Sequence, residues 1–219
     1  FLEKNGYKGK VVANTYYAYG LSAHGSMPQI GNNAVFILAE FLEENNSCEF
    51  SRYITSYLKD SPFGTKLGLN VDGGDMGTLT LNLGFVKTED KEFILGINLR
   101  IPVDNFAETI KKQLMKSFKK FNSLSHTEVI VDPIHYVDPE SLLVKTLLES
   151  YTSITGDVDA KPKTIGGGTY AKFIPNCVAY GPETPGKDNF IHNANEFIDI
   201  EDFSTAIAVY TKAIYELIK

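Results

Sequence analysis

Few side chains in this sequence combine reactivity with a constrained setting. There are four histidines, at positions 24, 126, 135 and 192. No H-x-x-x-H or C-x-x-C spacing is present, so the sequence holds no complete local metal motif. His126 and His135 read as structural. His24 lies in Ser22-Ala23-His24-Gly25-Ser26-Met27-Pro28, where Gly25 and Pro28 constrain the backbone. An imidazole on such a turn either donates a hydrogen bond to a developing oxyanion or is an ordinary turn histidine. His192 falls in a long loop from Gly181 to Glu196, between an expected strand and an expected helix. Functional groups of α/β sheets gather in loops of that kind. There it can ligate a metal if carboxylates converge on it; Glu183, Asp188 and Glu196 are the nearby acids, and as solvated loop charges they would do nothing of the sort. Arg100 ends an apolar strand, Phe93 to Pro102, where a guanidinium either clamps a carboxylate bidentately or sits on the surface. Gly166-Gly167-Gly168-Thr169 would let a peptide or an anion approach the backbone, but it lacks P-loop spacing. No Gly-x-Ser-x-Gly elbow or cysteine–histidine pair points to a nucleophile.

These residues need elements to hold them. Two β-like runs, residues 11–13 and 15–19, precede the His24 loop. Asn32 or Asn33 caps a helix to about Glu44 whose first turns are apolar on nearly all sides, which predicts deep burial. Phe50, Tyr53, Ile54, Tyr57 and Leu58 give one face of a second helix, stopped by Asp60-Ser61-Pro62. A glycine-rich loop, 65–77, leads to strands 78–86 and 92–101 with polar residues 87–91 between them, a hairpin signal. Asp104 caps a helix with Phe106, Ile110, Leu114, Phe118 and Phe121 on one stripe and five lysines on the other. A strand over 128–131 completes the first region. Past the Asp132-Pro133 and Asp138-Pro139 turns, Pro139 suits a first helical position, with Leu142, Leu143, Leu147, Leu148 and Tyr151 as the apolar face. Then come a strand, the glycine turn, a short helix, a strand over 177–180, the His192 loop, and a final helix with Phe203, Ala206, Ile207, Tyr210, Ile214, Leu217 and Ile218 on its apolar face.

Composition sets the outer bounds. The chain has 219 residues, 43% of them hydrophobic, and a formal net charge of −6. That is enough apolar material for a core, with no basic field for nucleic acid. No apolar run reaches the roughly 18 residues that span a bilayer, so no membrane partner is expected. Cys48 and Cys177 either form one disulfide, a staple that a chain of this size does not need, or are buried free thiols, the favoured reading, which fits a reducing, cytoplasmic compartment. The opening, Phe1 to Gly6, has no initiator Met and reads as the last turn of a helix, so the chain is expected to be an excerpt of something longer.

Four segments in order resemble the M20 metallopeptidase family, most closely its PepV-like dipeptidase branch. Gly20-Leu21-Ser22-Ala23-His24-Gly25-Ser26-Met27-Pro28 with Gly31-Asn32-Asn33-Ala34 is similar to the family's lid histidine motif. Met76 to Gly84 with Asn98-Leu99-Arg100-Ile101-Pro102 is similar to the lid hairpin. Thr164 to Tyr170 is similar to the substrate-facing turn, and Gly181 to Glu196 to the final metal-ligand loop. The resemblance implies an α/β and α+β fold class: a ferredoxin-like α+β lid over residues 1–137, incomplete at its N-terminus, then the C-terminal segment of an M20-type α/β catalytic domain over 138–219.

It also implies roles. His192 would ligate one of two divalent metal ions, zinc or manganese. His24 would reach from the lid to polarise the scissile carbonyl. Arg100 would bind the free carboxylate of a dipeptide, and Gly166 with Gly167 would offer backbone contacts. The two metals would activate a bridging water. The family's other ligands and its general base match no segment here, so this excerpt alone would be inactive. An N-acyl-amino-acid amidohydrolase of the same fold would use Arg100 in the same way. From another class, a non-catalytic lid or dimerisation module, pairing as a homodimer through the lid, would use none of this chemistry.

Overall fold

The computed structural model describes residues 1–103, 106–125, 130, 134–181, 183–187, 190 and 194–219. They form a mixed α/β chain in two compact units, 1–134 with 164–167 and 135–163 with 168–219. The expected Asp104 cap, His126, and most of the expected strand over 128–131 lie outside the described residues.

The first unit opens with a turn closed at Gly6 (φ +68°), as its glycine suggested. An antiparallel hairpin follows, β1 (Gly9–Val12) and β2 (Thr15–Ala18), in register Gly9↔Ala18 to Val12↔Thr15. Helix α1 (Ala34–Asn46) starts where Asn33 Oδ1 accepts the Val35 N–H at 3.0 Å. The deep burial expected for α1 is confined to Ile37 and Ala39; Leu38 is 37% exposed. The two-stranded β1–β2 ribbon is too narrow to cover the outer apolar side, and Leu38 and Phe41 line an open cavity of about 350 Å³ with Phe1 and Tyr16.

Helix α2 (Glu49–Tyr53) runs into one π-helical turn, Ile54–Leu58. Its expected face is the core: Tyr53, Ile54 and Leu58 are buried, and Phe50 and Tyr57 pack against them. The polar tip of buried Tyr53 is satisfied by Ser117 Oγ at 3.1 Å. The glycine-rich loop holds two short 3-10 turns, Thr65–Leu67 and Gly74–Met76, and inserts Leu67 and Leu69 into the same core.

Strands β3 (Thr80–Glu89) and β4 (Glu92–Arg100) form the second antiparallel hairpin. Its strands reach further than the polar 87–91 connection suggested. Pairing continues to Glu89↔Glu92, and the loop is only Asp90 and Lys91, both at positive φ (+48° and +69°), the conformation of a tight hairpin turn. A register shift at Leu83/Phe85 leaves Gly84 as a bulge. Helix α3 (Ala107–Phe118) then seals the core with Ile110 and Leu114, with Phe106, Phe118 and Phe121 beside them, as its stripe predicted.

In the second unit, α4 (Leu142–Thr155) packs against α5 (Ile200–Ile218). Pro139 is not the first helical residue. It sits in a turn where Asp138 Oδ1 accepts the Glu140 N–H at 2.8 Å, and Ser141 caps α4. The expected strand over 177–180 has no ladder among the described residues. Its carbonyls are taken by side chains instead: Cys177 O accepts from His135 Nε2 at 2.7 Å and Tyr180 O from Tyr210 Oη at 3.1 Å. The face assigned to α5 holds only in part: of its members Ala206 is buried and Tyr210 half-buried. Ala206, Val209 and Ala213 are buried, whereas Phe203, Ile207 and Ile214 are more than half exposed. Small residues let α4 approach closely, so the buried side is the alanine side rather than the bulkiest one. Among the described residues, no helix is long and apolar enough to cross a membrane.

One surface contact ties α2 to the end of α3. The Glu49 carboxylate accepts the N–H groups of Asn122 (3.0 Å) and Ser123 (2.7 Å) and the Ser123 hydroxyl. The hydroxyl first, then the two N–H groups, hold the carboxyl down to about 2 from an ordinary 4.5. A carboxyl depressed by folding stabilises above its unfolded value, and that contribution disappears as pH falls through the folded one. Melting temperatures followed by circular dichroism should therefore fall between pH 4.5 and about 2. Glu49→Gln should lack that part of the slope, so the two curves lie apart above pH 4.5 and converge below it.

Candidate active site

The first unit builds a polar site from a loop laid on one face of the β3–β4 hairpin. Strand alternation divides that hairpin. Leu79, Leu81 and Leu83 are buried on the core side with Ile97 and Leu99 packed beside them. Thr80, Asn82, Asn98 and Arg100 share the other side, Thr80 opposite Arg100 and Asn82 opposite Asn98.

The His24 loop is pinned at its base and at its tip. Leu21 and Asn32 exchange both main-chain hydrogen bonds (2.8 and 2.9 Å). Asn33, besides capping α1, donates through Nδ2 to Leu83 O at 2.8 Å, so the same residue starts the helix and anchors the loop to β3. At the tip the Met27 N–H donates to His24 O at 2.8 Å, and Thr80 Oγ1 donates to Gly25 O at 3.4 Å. Gly25 rests directly on the polar face. A Cβ added to it would lie 3.5 Å from Asn98 Oδ1 and 3.8 Å from both Arg100 Nη2 and Asn82 Nδ2.

Arg100 is half-buried, and its Nε is buried with no hydrogen-bond partner among the described residues. A buried guanidinium donor left unmade costs free energy, and a ligand oxygen would relieve it. His24 is exposed, with Nδ1 2.7 Å from Ser26 Oγ. Gly166 belongs to the same unit and is pressed against Ser26: a Cβ there would overlap the Ser26 Cβ and lie 3.0 Å from its Oγ. Thr164 Oγ1, donating to Asp75 O at 2.6 Å, fixes that segment. Gly167 is half-buried with open space around its Cβ position. Thus His24, Arg100 and Gly166 come together around Gly25 and Ser26. Sequence reasoning missed Ser26, Asn82 and Asn98 as members of the site. The two-residue period of the hairpin was the available signal for the asparagines; Ser26 gave none.

His192 lies outside the described residues. Described residues on either side of it make contacts of their own. Lys187 Nζ reaches Asp202 Oδ2 (2.7 Å) and Asp199 Oδ2 (3.2 Å), and the Phe190 and Phe197 rings sit 5.9 Å apart across the loop. Lys187 foremost, and Thr184 after it, keep the Asp202 carboxyl below the usual carboxylate range. His135, bonded to Cys177 O, is structural, as expected. Glu183 and Glu196 are exposed. Among the described residues no three His, Cys, Asp or Glu side chains gather where they could hold a metal ion, so those residues do not by themselves fit one.

Comparison with known proteins places the chain. Residues 8–216 match the family model for peptidase family M20/M25/M40, and the chain belongs to that family. It is 32% identical to a protein named "Putative dipeptidase" of Staphylococcus aureus strain MW2, over 99% of this chain and 48% of that relative. It is 32% identical to another of that name from Staphylococcus haemolyticus strain JCSC1435, over 90% of this chain and 43% of the relative. The chain thus spans about half the length of the curated relatives it matches.

Because Lys187 bridges to Asp199 and Asp202, Lys187→Met should speed amide hydrogen exchange in residues 183–187 and 194–199 by several-fold and leave α4 unchanged. Mass spectrometry of peptic fragments reads this directly, and equal exchange in both proteins would show that the ion pairs hold nothing.

Proposed function

We propose that this chain is the lid, of ferredoxin-like α+β type, and the C-terminal catalytic portion of a metal-dependent dipeptidase that cleaves dipeptides bearing a free carboxylate. The observation that carries the reading is the buried Arg100 Nε, without a hydrogen-bond partner among the described residues, beneath the His24 loop, with the Asn82 and Asn98 amides alongside. A guanidinium presents planar paired donors that match a carboxylate, and a desolvated one binds it more strongly than an exposed one. In this reading Arg100 takes the carboxylate of the dipeptide. His24, on the loop above, donates to the scissile carbonyl as negative charge develops on its oxygen. Gly166 and Gly167 let the peptide backbone approach closely.

Two divalent ions, zinc or manganese, belong to the proposal, with His192 as the ligand this chain contributes. The remaining ligands are proposed to lie outside these 219 residues, and the chain alone to be inactive; its coverage of only 48% and 43% of the relatives supports this. Cys48 and Cys177, both free, fit a reducing, cytoplasmic setting.

The test uses the whole enzyme supplied with Mn²⁺ or Zn²⁺. Arg100→Ala should lower kcat/KM for dipeptides by about 10- to 100-fold and spare the corresponding C-terminal amides. His24→Ala should lower kcat by about 100- to 1,000-fold on both. Equal loss on acids and amides in Arg100→Ala would overturn the carboxylate role.

A further inference from the structure

We propose that Ser26 is a positioning residue that sets the tautomer of His24, and that Gly166 keeps Ser26 in place to do so. The inference rests on the reading of His24 as the group that acts on the substrate carbonyl.

Two contacts converge on one ring nitrogen. The Ser26 main-chain N–H donates to His24 Nδ1 at 3.4 Å, and Ser26 Oγ lies 2.7 Å from the same atom. An amide N–H has no acceptor capacity, so the ring nitrogen it meets must be the acceptor and cannot carry a proton. The longer contact therefore fixes the direction of the shorter one: the Ser26 hydroxyl donates to Nδ1 as well. A neutral imidazole whose Nδ1 is an acceptor carries its single proton on Nε2. That tautomer offers an N–H donor at the far side of the ring, which is what a carbonyl oxygen gaining negative charge requires. The other tautomer would turn a lone pair toward that oxygen and repel it.

The geometry is held from outside the turn. Gly166 leaves room for Ser26, since any side chain there would collide with the Ser26 Cβ. The opposite side of the turn is fixed by Thr80 on Gly25 O and by the Met27 N–H on His24 O. Gly166 therefore acts on His24 through Ser26, a role separate from any backbone contact with substrate.

The experiment is a long-range proton–nitrogen correlation spectrum of the full chain with ¹⁵N-labelled histidine, recorded where His24 is neutral. The wild type should show a protonated Nε2 and a bare Nδ1. Histidine in water already leans toward this tautomer, so the sensitive readout is the minor Nδ1–H fraction. Ser26→Ala should raise it about fivefold, the worth of one hydrogen bond. Gly166→Ala should raise it in the same direction, and Ser26→Thr, which keeps the hydroxyl, should restore the wild-type pattern. A proton on Nδ1 in the wild type overturns the proposal, as does an unchanged fraction in Ser26→Ala. Because the spectrum needs no catalysis, its outcome is separate from the role assigned to His24: undiminished dipeptide cleavage in the whole enzyme carrying His24→Ala would remove that role and leave the tautomer assignment standing.

Discussion

The two-residue period of the β3–β4 hairpin governs the first unit. Each strand must give one row of side chains to the core and the other to whatever lies above, and a slip of one residue would exchange the rows. Here the core row is leucine and isoleucine, and the upper row is Thr80, Asn82, Asn98 and Arg100. Register is fixed at one end by the tight Asp90–Lys91 turn and adjusted in the middle by the Gly84 bulge. Arg100 cannot leave its place without carrying Leu99 and Ile101 out of the core. The cost of desolvating its Nε is thus sustained by apolar packing on the reverse of the same strand, as functional strain generally is.

Asn33 extends this dependence to the loop. One side chain caps α1 and holds the main chain of β3, so helix, loop and hairpin share a single joint. Membership of peptidase family M20/M25/M40 gives the arrangement its context. In the proposed reading, a rigid hairpin face carries the group that orients a substrate, and a pinned turn carries the group that acts on it. Precision of this kind comes from regular elements and their supports rather than from the turn alone.

How much of this was legible follows from how local each feature is. The cap of α1, the core faces of α2 and α3, and the existence of the second hairpin are set by neighbours within a few residues, and pattern reading found them. The edges of that hairpin were misjudged because charged residues can pair across strands as well as apolar ones. The strand expected over 177–180 finds no partner among the described residues, and being a strand depends on a partner that local sequence does not name. On α5 the expected face was right at Ala206 and wrong at its bulky members: closeness of approach turned Val209 and Ala213 inward and left Phe203, Ile207 and Ile214 outside. The site was half legible. His24, Arg100 and Gly166 stood out by motif, but Ser26 acquires meaning only when Gly166, distant in sequence, is seen against it.

That last contact bears on how the protein could be dissected. Residues 164–167 are separated from the rest of their unit by the whole of α4, so the unit is not one uninterrupted stretch of gene. Cutting the coding sequence after residue 134 would yield a domain with an intact hairpin and an intact His24 turn but no buttress behind Ser26. Grafting this module into another protein would have to carry a distant tetrapeptide along with it.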